Sequence, residues 1–126
     1  MAWELESSRS IYSQLVEVIM RRIITGAYPA GSRLDSVRDL ASEAGVNPNT
    51  MQRALMELER TGMITTQRTS GKYVTDNQEM IDKVREDMAK NAVAKLLTEL
   101  DTLGFEKEEI IEIIRRSEDE RDNGVS

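Results

Sequence analysis

The feature that most constrains this chain is the order of helix and turn signals within residues 34–74. Asp35 and Ser36 are both good N-caps for a helix, and the apolar residues that follow them recur at helical spacing. Gly45 should end this helix, because glycine adopts the left-handed conformation of a C-terminal cap without strain. A short helix is therefore predicted between Asp35 and Gly45.

A second helix is predicted directly after the first. Asn47 can cap it, and Pro48 fits its first position, where the missing backbone N–H costs nothing. Gly62 should end it. Two short β-prone runs, residues 63–66 and 73–75, then flank a polar turn that contains a glycine, which is the pattern of a β-hairpin. The stretch thus predicts a helix, a tight turn, a second helix and a hairpin.

Helical patterns also occupy the rest of the chain. Residues 9–25 carry an apolar stripe at helical spacing. Residues 77–103 form a long helical pattern without proline, which Gly104 should break, and residues 105–116 form a shorter one. The last segment, residues 118–126, is highly charged and is predicted to be a frayed tail.

These elements predict a mainly α fold in two parts. Residues 1–76 should form a winged helix-turn-helix, which consists of three helices and a two-stranded wing. Residues 77–126 should form a helical region of two helices that ends in the frayed acidic tail.

The composition excludes several classes of protein. The chain has 126 residues and contains neither cysteine nor histidine, so disulfides are impossible and a zinc or copper site is disfavoured. No cofactor is expected, and the lack of the most common general base argues against an enzyme. No apolar run approaches the roughly 20 residues that span a bilayer, and the mixed, acidic N-terminus is no signal peptide. We therefore expect a cytoplasmic protein without a membrane partner.

The net charge of −6 at first argues against a nucleic-acid ligand. The charge is unevenly distributed, however. Residues 1–75 contain nine lysines and arginines and eight acids, whereas residues 76–126 contain eight and fifteen. The acidity therefore lies in the C-terminal part, and a DNA-binding face would depend on local clustering of arginines.

Short motifs in the first half of the chain follow one another in a characteristic order. They are Ile11-Tyr12-Ser13-Gln14-Leu15, Gly31-Ser32-Arg33-Leu34, Ser36-Val37-Arg38-Asp39-Leu40-Ala41, Gly45-Val46-Asn47-Pro48-Asn49-Thr50, Ala54-Leu55, Leu58-Glu59, Gly62-Met63-Ile64 and Gly71-Lys72-Tyr73-Val74. In this order and spacing they resemble the DNA-binding domain of the GntR family of bacterial transcription regulators. The motif that begins at Asn47 and the short helical tail are similar to the YtrA-like subfamily. That resemblance implies binding to duplex DNA and dimerisation through a small C-terminal region.

Polar side chains near the starts of the two central helices are the first predicted DNA contacts. Arg38 can reach a phosphate or a guanine edge with its forked guanidinium, and the resembled family uses an arginine here. The alternative is a surface ion pair with Asp35 or Asp39. Asn49 can pair with adenine and Thr50 suits a phosphate or a thymine methyl group, although both could simply cap the helix.

Further contacts are predicted beside these residues. Gln52 is a second potential adenine reader and Arg53 a phosphate clamp or base contact, unless both merely lie on a solvated helix face. Arg33 should contact phosphate, and Ser36 completes this part of the DNA-binding set.

The tip of the hairpin is the third predicted DNA-binding element. Gly71 would let the backbone approach the minor groove, and Arg68 or Lys72 beside it would favour a narrow A·T-rich groove. Ser70 belongs to the same tip. The alternative is an ordinary hairpin loop in which the glycine serves only the turn.

Three positions depart from the pattern of the resembled family. Pro48 stands where many members carry an arginine that reads guanine, and Gln52 replaces another frequent arginine. Base reading should therefore depend less on guanine. Asp35 stands where proline is common, and its negative charge near the phosphates should lower affinity slightly.

The apolar residues of the C-terminal helices are too many for a lone helical hairpin in water. Burial against a second copy of the chain would cover them and give a two-fold homodimer. The alternative is packing onto the chain's own winged domain. The residues assigned to dimerisation are Ile81, Val84, Met88, Val93, Leu96, Leu97, Leu100, Ile110, Ile111, Ile113 and Ile114.

The leading hypothesis is a sequence-specific regulator that represses transcription by occupying a palindromic operator on double-stranded DNA as a homodimer. A winged-helix module for protein–protein interaction is the alternative. The polar face offered by Asn49, Gln52, Arg53 and Arg60 argues against it, because docking would favour exposed apolar residues there. The sequence identifies neither the operator nor a small-molecule effector.

Overall fold

The computed structural model describes residues 3–122, and these form five helices and a two-stranded antiparallel sheet. In chain order the elements are α1 (Ile11–Ile24), α2 (Val37–Ala44), α3 (Pro48–Arg60), β1 (Ile64–Gln67), β2 (Gly71–Val74), α4 (Gln78–Thr102) and α5 (Lys107–Asp122). The predicted fold class is confirmed: an N-terminal winged helix-turn-helix is followed by two further helices.

The caps that the sequence predicted fix the ends of α2 and α3. The Ser36 hydroxyl accepts a hydrogen bond of 3.1 Å from the backbone N–H of Asp39, and Gly45 ends α2 with φ of 77°. The Asn47 side chain accepts a bond of 2.7 Å from the backbone N–H of Asn49, and Pro48 occupies the first turn of α3. The tight turn between the helices is therefore set by local chemistry.

One hydrophobic core holds α1, α2, α3 and the sheet together. Each helix buries one face, as its apolar spacing predicted. The core residues that are buried in these elements and beside them are Leu15, Ile19, Ile23, Leu34, Leu40, Ala41, Ala44, Met51, Ala54, Leu55, Leu58, Met63, Ile64 and Val74. Because α3 contributes four of them, its opposite face is free for other contacts.

The wing is the hairpin of β1 and β2, in which Thr66 faces Lys72 and Gln67 faces Gly71. The segment before α2 lies along the other side of β2. There the backbone N–H of Leu34 donates to the carbonyl of Lys72 at 2.9 Å, and Arg33 pairs with Tyr73 as an isolated bridge. The wing is thus fastened to the start of α2.

The segment before α1 is anchored by a buried glutamine. Gln14 accepts a hydrogen bond of 2.6 Å from the backbone N–H of Glu6 and donates one of 2.7 Å to the Glu6 carbonyl. Further out, the indole N–H of Trp3 donates to a carboxylate oxygen of Glu43 at 2.7 Å. The guanidinium of Arg22 lies 4.4 Å from the centre of the Trp3 ring.

The first turns of α4 belong to the winged domain. Ile81 is 2% exposed within its core, and Val84 packs against that core. Both residues were assigned to dimerisation, and for Ile81 that assignment is wrong because the chain itself covers this side chain. The chain divides into compact units between Arg85 and Glu86, later than the boundary after residue 76 that the sequence predicted.

The second unit contains the rest of α4 and all of α5. Helix α5 continues to Asp122, so residues 118–122 are helical rather than frayed. The last four residues of the predicted tail lie outside the described part of the chain. Within residues 3–122, no helix is long and apolar enough to cross a membrane.

Candidate nucleic-acid interface

The four arginines of the predicted DNA-binding set share one feature. Within residues 3–122, no ion pair is formed by four members of the predicted DNA-binding set: Arg33, Arg38, Arg53 and Arg68. Three other arginines of this unit are paired, with Arg9 on Glu17, Arg22 on Glu43 and Arg60 on Glu57, whereas Arg21 and Arg85 also lack an acidic partner among the described residues. Unpaired guanidinium groups are available to bind phosphate.

Arg38 lies in the first turn of α2 and is exposed. Although Asp35 and Asp39 are close in sequence, neither pairs with it among the contacts of the described chain. The surface ion pair considered as the alternative is therefore not formed. Arg38 can extend its five N–H donors into solvent or towards a ligand.

Helix α3 presents a mostly polar stripe on the side opposite its buried residues. Asn49, Arg53, Met56 and Arg60 are exposed along it, and Gln52 is half-buried. Because Asn47 supplies the N-cap, the side chains of Asn49 and Thr50 are not used for capping. The amide group of Asn49 is therefore free to meet a base edge.

The stripe also contains two features that the sequence did not indicate. The guanidinium carbon of Arg53 lies 4.9 Å from the centre of the Tyr12 ring on α1. This cation–π contact orients Arg53 without neutralising its charge. Met56 is 56% exposed on α3, where an apolar group can contact a thymine methyl.

The start of α2 and the wing enclose a groove of about 410 Å³. It brings together six of the predicted DNA contacts: Arg33, Ser36, Arg68, Ser70, Gly71 and Lys72. The hydroxyl of Tyr73 lies 3.1 Å from that of Ser70 and orients it. The groove combines three cations with hydroxyl groups, which suits a phosphate backbone, although Asp35 also lines it.

Gly71 is required at its position in this groove. Its φ of +110° is unfavourable for any residue with a side chain, and a Cβ atom there would lie 3.3 Å from Nε of Arg33. The guanidinium of Arg33 therefore lies over the glycine. A larger residue would displace it.

Lys72 differs from the other predicted contacts of the wing. Its ammonium group forms an ion pair with Glu59 on α3 and a hydrogen bond of 3.1 Å with the hydroxyl of Thr66. Burial raises the pKa of the Glu59 carboxyl, but the hydrogen bonds from Lys72 and Thr66 outweigh burial and hold the pKa below its ordinary value. Nothing in the sequence indicated this pair, because it joins residues in different elements.

The remaining residues assigned to dimerisation lie in the second unit. Val93, Leu96, Leu97 and Ile114 are exposed, with between 43% and 53% of their surface accessible. Met88, Leu100, Ile111 and Ile113 are half-buried, and Ile110 is 7% exposed. Leu97, Ile110, Ile111 and Ile114 line an apolar pocket of about 720 Å³ between α4 and α5.

The order of these elements has a counterpart among known proteins. Residues 11–74 match the family described as bacterial regulatory proteins of the gntR family. The chain belongs to this family. This GntR protein is thus a transcriptional regulator with a DNA-binding helix-turn-helix, and its relatives place it with the YtrA type.

Two relatives from Bacillus subtilis are similar over most of their length. The HTH-type transcriptional regulator YhcF is 32% identical over 89% of this chain and 93% of its own. The HTH-type transcriptional repressor YtrA is 34% identical over 86% of this chain and 85% of its own. Both alignments extend beyond the helix-turn-helix into the C-terminal helices.

A solved structure of a GntR family transcriptional regulator from Listeria monocytogenes is similar in fold and sequence. It is 42% identical, with a TM-score of 0.86, and the match covers 89% of this chain and 98% of the other. The same order of elements, a winged unit followed by two C-terminal helices, therefore occurs in a relative.

Proposed function

We propose that this GntR regulator is a repressor that binds a palindromic operator as a homodimer and acts by occupancy rather than by catalysis. The DNA-binding residues are Arg33, Ser36, Arg38, Asn49, Thr50, Gln52, Arg53, Arg68, Ser70 and Gly71. Repression is supported by the similarity to YtrA of Bacillus subtilis, which is described as a repressor.

One observation carries the proposal: the four arginines predicted to contact DNA all lack an acidic partner among the described residues. Arg38 and Arg68 are exposed, and no acid of residues 3–122 neutralises them. Phosphate contacts of this kind fix the position of a protein on the duplex, whereas contacts to base edges specify the sequence. Asn49 and Gln52 on α3 are the proposed base readers.

The identity of these base-reading residues limits the base sequence that the operator can have. Asn and Gln side chains pair bidentately with adenine, while arginine favours guanine. Pro48 removes the guanine reader that many family members carry at the start of α3. Adenine–thymine pairs should therefore dominate beneath the N-terminus of α3.

The homodimer is supported by the apolar surface of the second unit. Val93, Leu96 and Leu97 expose a stripe on α4, and Ile114 exposes another apolar group on α5. Contiguous apolar surface of this kind usually marks an interface. Two-fold symmetry would then place two copies of α3 in successive major grooves.

Selection of duplexes from a random library, followed by binding measurements on the best site, tests the proposal. Arg38→Met should weaken binding and lower the slope of log K against log salt by about 0.9, because one phosphate contact is lost. Arg21→Met is the matched control, since Arg21 is exposed on α1 and is not among the proposed contacts. Failure to recover any palindromic site would refute the proposal.

The dimer has its own test. Leu97→Gln should lower the mass measured by light scattering at micromolar concentration, because a polar group would enter the apolar interface. Ala94→Gln is the control, since Ala94 is also exposed on α4 but lies outside the apolar stripe. Equal masses for the wild type and both variants, at the value of one chain, would contradict the dimer.

A further inference from the structure

Lys72 holds the wing against α3. Its side chain is 15% exposed and that of its partner Glu59 is 29% exposed, so the pair is largely withdrawn from solvent. Thr66, which faces Lys72 across the hairpin, receives a second hydrogen bond from the same ammonium group. Residues from β1, β2 and α3 therefore meet at one positive charge.

Arg68 at the tip of the same hairpin is in the opposite situation. It is exposed and has no acidic partner among the described residues. A phosphate could bind Arg68 at no cost in existing contacts. To bind Lys72, it would have to break an ion pair and draw out a mostly buried side chain, which is unfavourable because Glu59 would lose its partner.

We propose that Lys72 is a positioning residue that fixes the wing on the recognition helix and does not itself contact DNA. Through this contact the pair of Lys72 and Glu59 sets where Arg68 and Ser70 meet the duplex relative to α3. The inference rests on the proposed function, since it concerns how the same DNA-binding surface is held. It reassigns a residue that the sequence predicted to touch DNA.

The salt dependence of binding separates a positioning residue from a phosphate contact. The probe is the best duplex recovered by selection, titrated between about 50 mM and about 200 mM salt. Arg68→Met should lower the slope of log K against log salt by about 0.9. Lys72→Met keeps the aliphatic stem and should weaken binding about twofold to fivefold with an unchanged slope. A slope that falls as much as in Arg68→Met would overturn the proposal.

Glu59→Gln gives a second measurement. A positioning role and a direct DNA contact of Lys72 predict opposite changes in DNA affinity for this substitution. If Lys72 positions the wing, the substitution should weaken binding in the wild type by about twofold to fivefold. If Lys72 contacts DNA, loss of Glu59 frees its ammonium group and strengthens binding. The control is Glu59→Gln in the Lys72→Met background, which removes the same negative charge when no pair remains.

The outcomes also separate this inference from the proposed function. If a preferred site is recovered and the salt dependence of its binding falls in Lys72→Met, the positioning role is refuted. The proposed function as a DNA-binding regulator then still stands. Failure to recover any preferred duplex would refute both the positioning role and the proposed function. In that case thermal unfolding of the two single variants and the double variant would still show whether Lys72 and Glu59 are coupled in the free protein.

Discussion

Two cations of the wing lie in different surroundings: Lys72 is paired with Glu59, whereas Arg68 is exposed and has no acidic partner among the described residues. The exposed positions of Arg38, Asn49 and Arg68 followed from their place beside helix starts and a turn, because local signals determine those places. The pairing of Lys72 with Glu59 did not follow, since it depends on how the hairpin folds onto α3. Sequence spacing predicts which side of an element a residue occupies, but not which other element lies opposite.

Gly71→Ala should weaken DNA binding. The positive φ at this position disfavours a side chain, at a cost of about 1–2 kcal/mol, and the new methyl group would displace the guanidinium of Arg33. Gly26→Ala is a matched control, because Gly26 also has a positive φ, of +84°, but a Cβ atom there would touch nothing within 4 Å. Thermal unfolding should show a loss of stability in both variants, whereas fluorescence anisotropy with labelled duplex should show weaker binding in Gly71→Ala alone. Equal affinities in the two variants would contradict the role of Arg33.

The stability of the winged unit should fall in acid partly through Glu43. Hydrogen bonds from Arg22 and Trp3 lower the pKa of the Glu43 carboxyl below its ordinary value. A lowered pKa in the folded state stabilises the protein above the unfolded pKa, and this contribution is lost as the pH falls through the folded pKa. Glu43→Gln should therefore lower Tm by about 2–5 °C at neutral pH, with a difference that disappears in strong acid. Thermal unfolding followed by circular dichroism at several pH values measures this difference in Tm. A difference in Tm that grows in acid would contradict the prediction.

At the scale of elements, the sequence predicted the starts and ends of α2 and α3 closely. Their caps are local: Ser36, Gly45, Asn47 and Pro48 each act within a few residues. The boundary between the two units was placed too early, because the apolar stripe of α4 is continuous. Periodicity identifies the buried face of a helix but cannot say that Ile81 is covered by the chain itself while Leu97 is left exposed.

Ile81→Ala should destabilise the winged unit by about 2–5 kcal/mol, since it leaves a cavity in a core where Ile81 is 2% exposed. Leu97→Ala removes a similar side chain from the same helix, but Leu97 is 45% exposed, so unfolding of the winged unit should change little. Urea unfolding followed by circular dichroism compares the two. Similar losses of stability at a concentration where both variants are monomeric would contradict this difference in burial.

At the scale of the whole molecule, a DNA-binding surface with unpaired arginines and an acidic C-terminal part belong to one chain. Residues 76–126 carry fifteen acids against eight lysines and arginines. Because non-specific binding to DNA is mostly electrostatic, this acidity should oppose binding to arbitrary duplex. Specific binding would then depend on two copies of α3 engaging at the same time.

The spacing of the two half-sites should therefore be critical. In a two-fold dimer the half-sites are separated by about one helical turn, or about 10 base pairs. Insertion of about 5 base pairs between them turns one half-site to the opposite side of the duplex and should reduce affinity to that of a single half-site. Substitution of the same central bases without a change of length is the control. Unchanged affinity after the insertion would argue that each chain binds independently.

The chain contains one tryptophan, and the folded protein places it where Arg22 and Glu43 both touch its ring. Indole emission is sensitive to neighbouring charge and to water. The emission wavelength of Trp3 should therefore report whether the N-terminal segment is packed against α1 and α2. Release of that segment would move the emission to longer wavelength. Trp3 fluorescence therefore provides a label-free signal for any event, including DNA binding, that disturbs the contact between α1 and α2.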